Sequence, residues 1–261
     1  MRRFIYLAVA FLAFGFSSGV VRAEDRPLVI GMEMSYPPFE MTDTAGQPAG
    51  VSVDLGKALG DYLHRPVVFQ NLPFDGLIPA LKTGKIQLII SSMTATPERA
   101  RSIDFSDAYL KTGLCLLVGK NSPIQDITTA DAAGQTIAVK RGTTGHVFAM
   151  TQVHAAKLLI LDKETACVLE VVQGKADAFI YDQMSTYTNW RKNQDSTRAL
   201  LKPFKEESWA IGIRKGDDDL KKQVNAFLVD FKAKGGFDRL GDKWLSQEKA
   251  DFQKLGIPFL F

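Results

Sequence analysis

The chain has 261 residues, with 32 Lys+Arg against 29 Asp+Glu and 46% hydrophobic residues, enough for one large or two small domains. The positive excess lies in Arg2, Arg3 and Arg22, and beyond residue 23 basic and acidic side chains balance at 29 each, which argues against a nucleic-acid surface. Cys115 and Cys167, with His64, His146 and His154, fall at no metal or redox spacing, so neither a metal site nor a cofactor is expected.

In chain order, Arg2-Arg3 precede an apolar run over 4–16, then Ser17-Ser18-Gly19 and Val21-Arg22-Ala23. This reads as a secretory signal peptide over 1–23, because the run is too short to span a bilayer. No cysteine lies near the cleavage site, and no later apolar stretch reaches spanning length. An exported, soluble, periplasmic protein without a lipid anchor is expected. Export permits a disulfide between Cys115 and Cys167. Both sit in apolar runs, however, and burial as separate thiols is the expected state.

Residues 28–32 read as a strand. Residues 33–39 read as a loop, with Tyr36-Pro37-Pro38-Phe39 too proline-rich for a helix. A helical stripe at 51, 55, 58, 59, 62 and 63 predicts a helix over 51–63. A strand at 66–69, a helix over 74–82 stopped by Gly84, and a strand at 86–90 follow. The run is strand–helix–strand–helix–strand, the pattern of a parallel sheet covered by helices.

After that last strand comes Ser91-Ser92-Met93-Thr94-Ala95-Thr96-Pro97-Glu98-Arg99. Thr96 suits an N-cap, Pro97 the first helical position, and Arg99 the first turn. Hydroxyls, free N–H groups and one guanidinium would then face a common space suited to a carboxylate. A capped surface helix with a solvated Arg is the other reading.

Residues 103–106 read as extended and 113–118 as a strand. A second alternating set follows: strands at 136–140, 158–161 and 178–181, and helices from 147, over 163–173, and from Asp182 to about 191. A strand at 209–213 precedes amphipathic helices over 217–234 and 237–245, broken by Gly235-Gly236. The apolar tail over 256–261 is expected to dock on the body. The fold expected is α/β with two lobes, each a mostly parallel sheet flanked by helices. The first lobe takes 24–110 and 208–261, the second 111–207, with crossings near 113–118 and 209–213.

Ligands in open α/β sheets sit beyond the carboxyl ends of strands, and a cleft between lobes favours a small solute. Those strand ends carry Glu33, Tyr36, Ser91, Ser92, Thr94, Arg99, Lys140, Thr143, Thr144 and Asp182, with Phe74 at a helix start. Together they complement a zwitterion: a cation for its carboxylate, an acid for its ammonium, aromatics for its stem. Singly, each has a plainer role. Asp182 suits a helix cap, Thr143-Thr144-Gly145 a capped turn, Tyr36 and Phe74 core aromatics, and Lys140 and Glu33 solvated flanks.

Three stretches carry a resemblance: 91–99 followed by Ile103-Asp104-Phe105-Ser106-Asp107, Tyr36-Pro37-Pro38-Phe39-Glu40 after Ile30-Gly31, and Phe74-Asp75-Gly76-Leu77-Ile78-Pro79-Ala80-Leu81. Over 24–261 the chain resembles the periplasmic solute-binding proteins of ABC importers for polar amino acids. It departs from the family at Val51 and Ser52, where an aromatic and an acid are usual. The resemblance implies that Arg99 grips the ligand α-carboxylate, helped by the Thr94 N–H and Thr144. Asp182 would take the α-ammonium with Ser92 and Thr94 oxygens, and Tyr36 and Phe74 would sandwich the side chain. Glu33 would meet its head, Lys140 matches a lysine of glutamine-type binders, and Tyr181 lies nearby. A monomeric receptor that hands its ligand to a membrane permease is implied.

Glu33 favours a cationic or amide-donor side chain and Lys140 disfavours a cation, so the two together suit a neutral polar head such as an amide, which donates and accepts. A basic amino acid comes second and an acidic one last. Two rival classes stand beside this reading. One is a cyclohexadienyl dehydratase-like enzyme, for which Glu33 and Asp182 are the nominated cleft carboxylates. The other is a ligand-sensing partner of a membrane receptor.

Overall fold

The computed structural model describes residues 26–259; the signal peptide expected at 1–23 lies outside them. β1 (Leu28–Met32) leads into a small antiparallel ribbon of β2 (Ser35–Tyr36), β3 (Glu40–Thr42) and β4 (Pro48–Ala49). Then come α1 (Val51–Tyr62), β5 (Val67–Asn71), a 3-10 turn at Phe74–Gly76, α2 (Leu77–Lys82) and β6 (Leu88–Ile89). α3 (Pro97–Ala100) precedes the long β7 (Ile103–Gly119). The next set is α4 (Ile127–Ala130), β8 (Thr136–Lys140), α5 (Thr144–Gln152), β9 (Lys157–Leu161), α6 (Glu164–Val172), β10 (Ala178–Asp182) and α7 (Gln183–Lys192). The long β11 (Thr197–Arg214) returns to α8 (Asp218–Ala233), α9 (Gly236–Trp244) and α10 (Ser246–Lys254).

One eight-stranded sheet runs through both lobes in the order β5-β1-β6-β11-β7-β10-β8-β9. Its flanks are parallel, β5-β1-β6 on one side and β10-β8-β9 on the other. The antiparallel pair β7 and β11 joins them. Parallel flanks need crossover helices, which α1, α2, α5 and α6 supply. The β7–β11 ladder shifts register between Leu200 and Lys205 and again over Trp209–Gly212; such bulges bend a strand where it passes from one lobe to the next.

Two of the buried clusters lie mainly one in each half. Leu28, Ile30, Val53, Leu59, Val224 and Phe227 belong to one core cluster. Leu116, Val118, Ile137, Val139 and Ile180 belong to another. The tail residues Ile257 and Phe259 pack on the first cluster. No helix among the described residues is long and apolar enough to cross a membrane.

Some elements differ from the sequence reading. The pieces at 103–106 and 113–118 are one strand of 17 residues, and the strand at 209–213 is the end of one of 18. Exposed Asp107, Lys111, Lys202 and Lys205 interrupt the apolar pattern where the strands cross between lobes. α10 was not anticipated; it is largely polar, and buries Phe252 against Tyr187 of α7 at 5.2 Å. Cys115 and Cys167 agree with the reading as separate thiols: both are free and buried. Burial pushes both thiols up, Cys167 to about 12.

Candidate ligand-binding site

The segment after β6 builds one wall. Thr96 caps α3 as its type suggests, accepting the Arg99 N–H at 3.2 Å. α3 is a single turn, so its terminus adds little dipole; the guanidinium itself carries the charge. Arg99 Nη1 donates to the Thr94 carbonyl at 2.7 Å, and Nη2 to the Gly142 carbonyl of the opposite lobe at 3.0 Å. Gly142 turns with φ 75°, a conformation open to glycine at little cost. Arg99 also lies 5.4 Å from the Phe74 ring centroid. Burial lowers its pKa to about 10, against the pull of Glu207.

Beneath this wall lies a carboxylate that the sequence reading did not nominate. Glu40 is 1% exposed and accepts from the Ser52 hydroxyl at 2.6 Å, the Ser92 hydroxyl at 3.0 Å and the Ser91 hydroxyl at 3.5 Å. Burial nevertheless pushes its carboxyl up to about 8. Ser91 in turn accepts the Glu33 N–H at 3.0 Å. Ser92 sits at φ 49°, uncommon for a residue with a side chain.

The second lobe forms the facing wall. Asp182 ends β10 and caps α7, accepting the Ser185 N–H at 3.1 Å. The same Oδ1 accepts the Tyr36 hydroxyl at 2.7 Å from across the cleft. Burial pushes the Asp182 carboxyl up to about 7, with both hydrogen bonds opposing. Tyr36 stacks on Phe39 and meets Trp209 and Tyr181 edge-on. Lys140, at the end of β8, forms an ion pair with Glu33 of the other lobe and lies 5.5 Å from the Phe74 centroid.

Thr143 caps α5 by accepting the His146 N–H at 3.2 Å and donates its hydroxyl to the Lys140 carbonyl at 2.7 Å. Its hydroxyl is thus committed to the local turn. The Thr144 hydroxyl instead donates to Glu207 at 2.8 Å, as the Thr94 hydroxyl does at 3.0 Å.

These groups surround one cleft between the lobes, a favoured place for a small solute. Glu33, Tyr36, Phe74, Ser91, Ser92, Thr94, Arg99, Thr143, Thr144 and Asp182 line it; Lys140 lines the adjoining crevice, which shares Glu33 and Phe74. Glu40, Glu207, Trp209, Leu114 and Gly145 also line the cleft and were not nominated. Glu40 was visible only as part of the 36–40 motif. Glu207 had no signal at all, because it lies inside a polar run on a crossing strand. No group of His, Cys, Asp and Glu among the described residues is arranged to hold a metal ion.

Residues 28–247 match the family model of the bacterial extracellular solute-binding proteins, family 3. The chain belongs to this family. It is 33% identical to the L-arginine-binding protein of Pseudomonas aeruginosa over 86% of this chain and 90% of that one. It is 30% identical to the glutamine-binding protein of an ABC transporter in Bacillus subtilis, over 87% and 84%. Among solved structures, an ancestral amino-acid-binding protein, a precursor of cyclohexadienyl dehydratase, superposes with a TM-score of 0.78 at 35% identity, covering 84% of this chain and 95% of that one. The family-3 protein is an amino-acid receptor of the ABC-import class, and a binding protein rather than an enzyme. Its place is periplasmic.

Proposed function

We propose that this receptor binds one polar neutral α-amino acid as its zwitterion, an amide-bearing side chain first and a basic one second. One observation carries the reading: Arg99 and Asp182 stand on opposite lobes and line the same cleft. Arg99 commits two of its five donors to backbone carbonyls, which leaves three for a carboxylate. The Thr94 N–H and Thr144 complete that seat. Both protein bonds to Asp182 fall on Oδ1, which leaves Oδ2 for the ammonium, with Ser92 and Thr94 oxygens beside it. Tyr36 and Phe74 flank the stem. Ser91 and Thr143 hold the backbone around these groups.

The head group meets Glu33 and Lys140 already paired. An amide can donate to the first and accept from the second, whereas a cation must displace Lys140. The named glutamine- and arginine-binding relatives support both choices. A ligand held from both sides favours the closed arrangement by its differential affinity, so capture is a population shift. The closed monomer, with lobes at 24–110 plus 208–261 and 111–207 and a signal peptide removed after 23, delivers the ligand to the permease.

A thermal-shift screen against the twenty amino acids tests this. A ligand at a hundred times its dissociation constant stabilises by about 2.7 kcal/mol. Glutamine or asparagine should lead. No shift with any amino acid would overturn the reading.

A further inference from the structure

Glu207 sits on β11 where it crosses between lobes, opposite Thr112 of β7 in the ladder. It is 8% exposed. Its Oε2 accepts two hydroxyls, one from each side of the cleft: Thr94 at 3.0 Å and Thr144 at 2.8 Å. Thr94 is tied to the same strand through its bridge to Trp209 and the Ala95 N–H to the Ser208 carbonyl, so it moves with the crossing. Thr144 opens α5 in the second lobe. The Glu207 carboxylate therefore joins Thr94 of the first lobe to Thr144 of the second, parts of the molecule that must separate when the cleft opens.

The other side of the carboxylate points the same way. Glu207 Oε1 and Thr112 Oγ1 are both buried without a hydrogen-bond partner, and the nearest cation, Lys205 Nζ, is 4.0 Å from Oε1. Buried polar atoms normally find partners. Here an acceptor and a donor are left over on residues directly opposed in the crossing ladder, while Oε2 holds two donors. A carboxylate placed this way has two sets of partners: the hydroxyls of both lobes when the cleft is shut, and Thr112 or water when Thr144 withdraws.

We propose that Glu207 is the closure latch of this receptor, a positioning residue that takes a hydroxyl from each lobe. It thereby sets the balance between open and closed arrangements. By fixing Thr94 and Thr144 together, it also shapes the carboxylate seat. This second effect rests on the ligand reading above; the latch itself does not.

The test labels exposed Lys57→Cys and Met150→Cys, one on each lobe, with the native thiols buried, and measures the interlobe distance with no amino acid added and with saturating L-glutamine. Glu207→Ala, and independently Thr144→Val, should move the distribution toward longer distances and raise the glutamine needed for closure about tenfold, in proportion to the lost closed fraction. Glu207→Gln keeps an oxygen that accepts both hydroxyls and should stay near the parent, which separates a hydrogen-bonding latch from a bare charge. Distances in Glu207→Ala and Thr144→Val that match the parent under both conditions overturn the latch. Latch-dependent distances in a chain that binds no amino acid would leave the latch standing and remove the ligand reading.

Discussion

If Asp182 receives the ligand ammonium, binding requires its ionised form. Burial holds its carboxyl at about 7, so the fraction ready to bind rises with pH and levels off above that value. The dissociation constant should scale as one plus ten to the power of the carboxyl pKa minus pH, which makes binding at pH 5 about 100-fold weaker than at pH 8. Free amino acids stay zwitterionic across this window, so the ligand adds no slope of its own. Asp182→Asn leaves the cap oxygen in place but removes the charge, a loss of roughly 2–5 kcal/mol for a buried charge pair. It should also flatten the pH profile. Calorimetry at pH 5, 6, 7 and 8 and constant ionic strength reads both effects. A dissociation constant that does not move with pH in the parent, or a slope that survives in Asp182→Asn, would refute the assignment.

Two further outcomes follow from neighbouring groups. Lys140→Met removes the partner of Glu33 and leaves an acid facing the head group; preference should move from glutamine toward arginine or lysine by about tenfold or more, read in competition binding. Glu40 has a folded pKa near 8 against an ordinary 4.5, so it contributes stability that is full below pH 4.5 and is lost as pH rises through 8. The upper limit is about 5 kcal/mol. Glu40→Gln should show a flatter change in urea stability between pH 5 and pH 8 than the parent; an unchanged slope would place the titration elsewhere.

Much of the architecture was legible because local chemistry and tertiary structure agree. Thr96-Pro97 caps and opens α3, Asp182 caps α7, and Gly235 ends α8 in the left-handed region. The inner parallel strands β1, β6, β8 and β10 announced themselves as apolar runs, since both of their faces are covered. The crossing strands did not. β7 and β11 leave one lobe's core and enter the other's, and the exposed charges between read as breaks. α10 was hidden for a related reason: one buried Phe252 anchors an otherwise polar helix.

The site divides in the same way. Groups at strand ends, such as Arg99, Lys140 and Asp182, could be placed from topology alone. Roles set by a partner far along the chain could not. Glu33 and Lys140 are 107 residues apart, Tyr36 and Asp182 are 146 apart, and Thr94 and Glu207 are 113 apart. Thr143 shows the opposite case, where a hydroxyl at a strand end serves its own turn.

The most direct measurement compares three forms of the best-binding amino acid by calorimetry: the free acid, its α-carboxamide and its N-acetyl derivative, each against the parent, Arg99→Ala and Asp182→Ala. Clasping of both ligand ends predicts that the carboxamide and Arg99→Ala share one large loss, and that the N-acetyl form and Asp182→Ala share the other, with both variants still folded. Normal affinity for either blocked ligand, or in either variant, would contradict it.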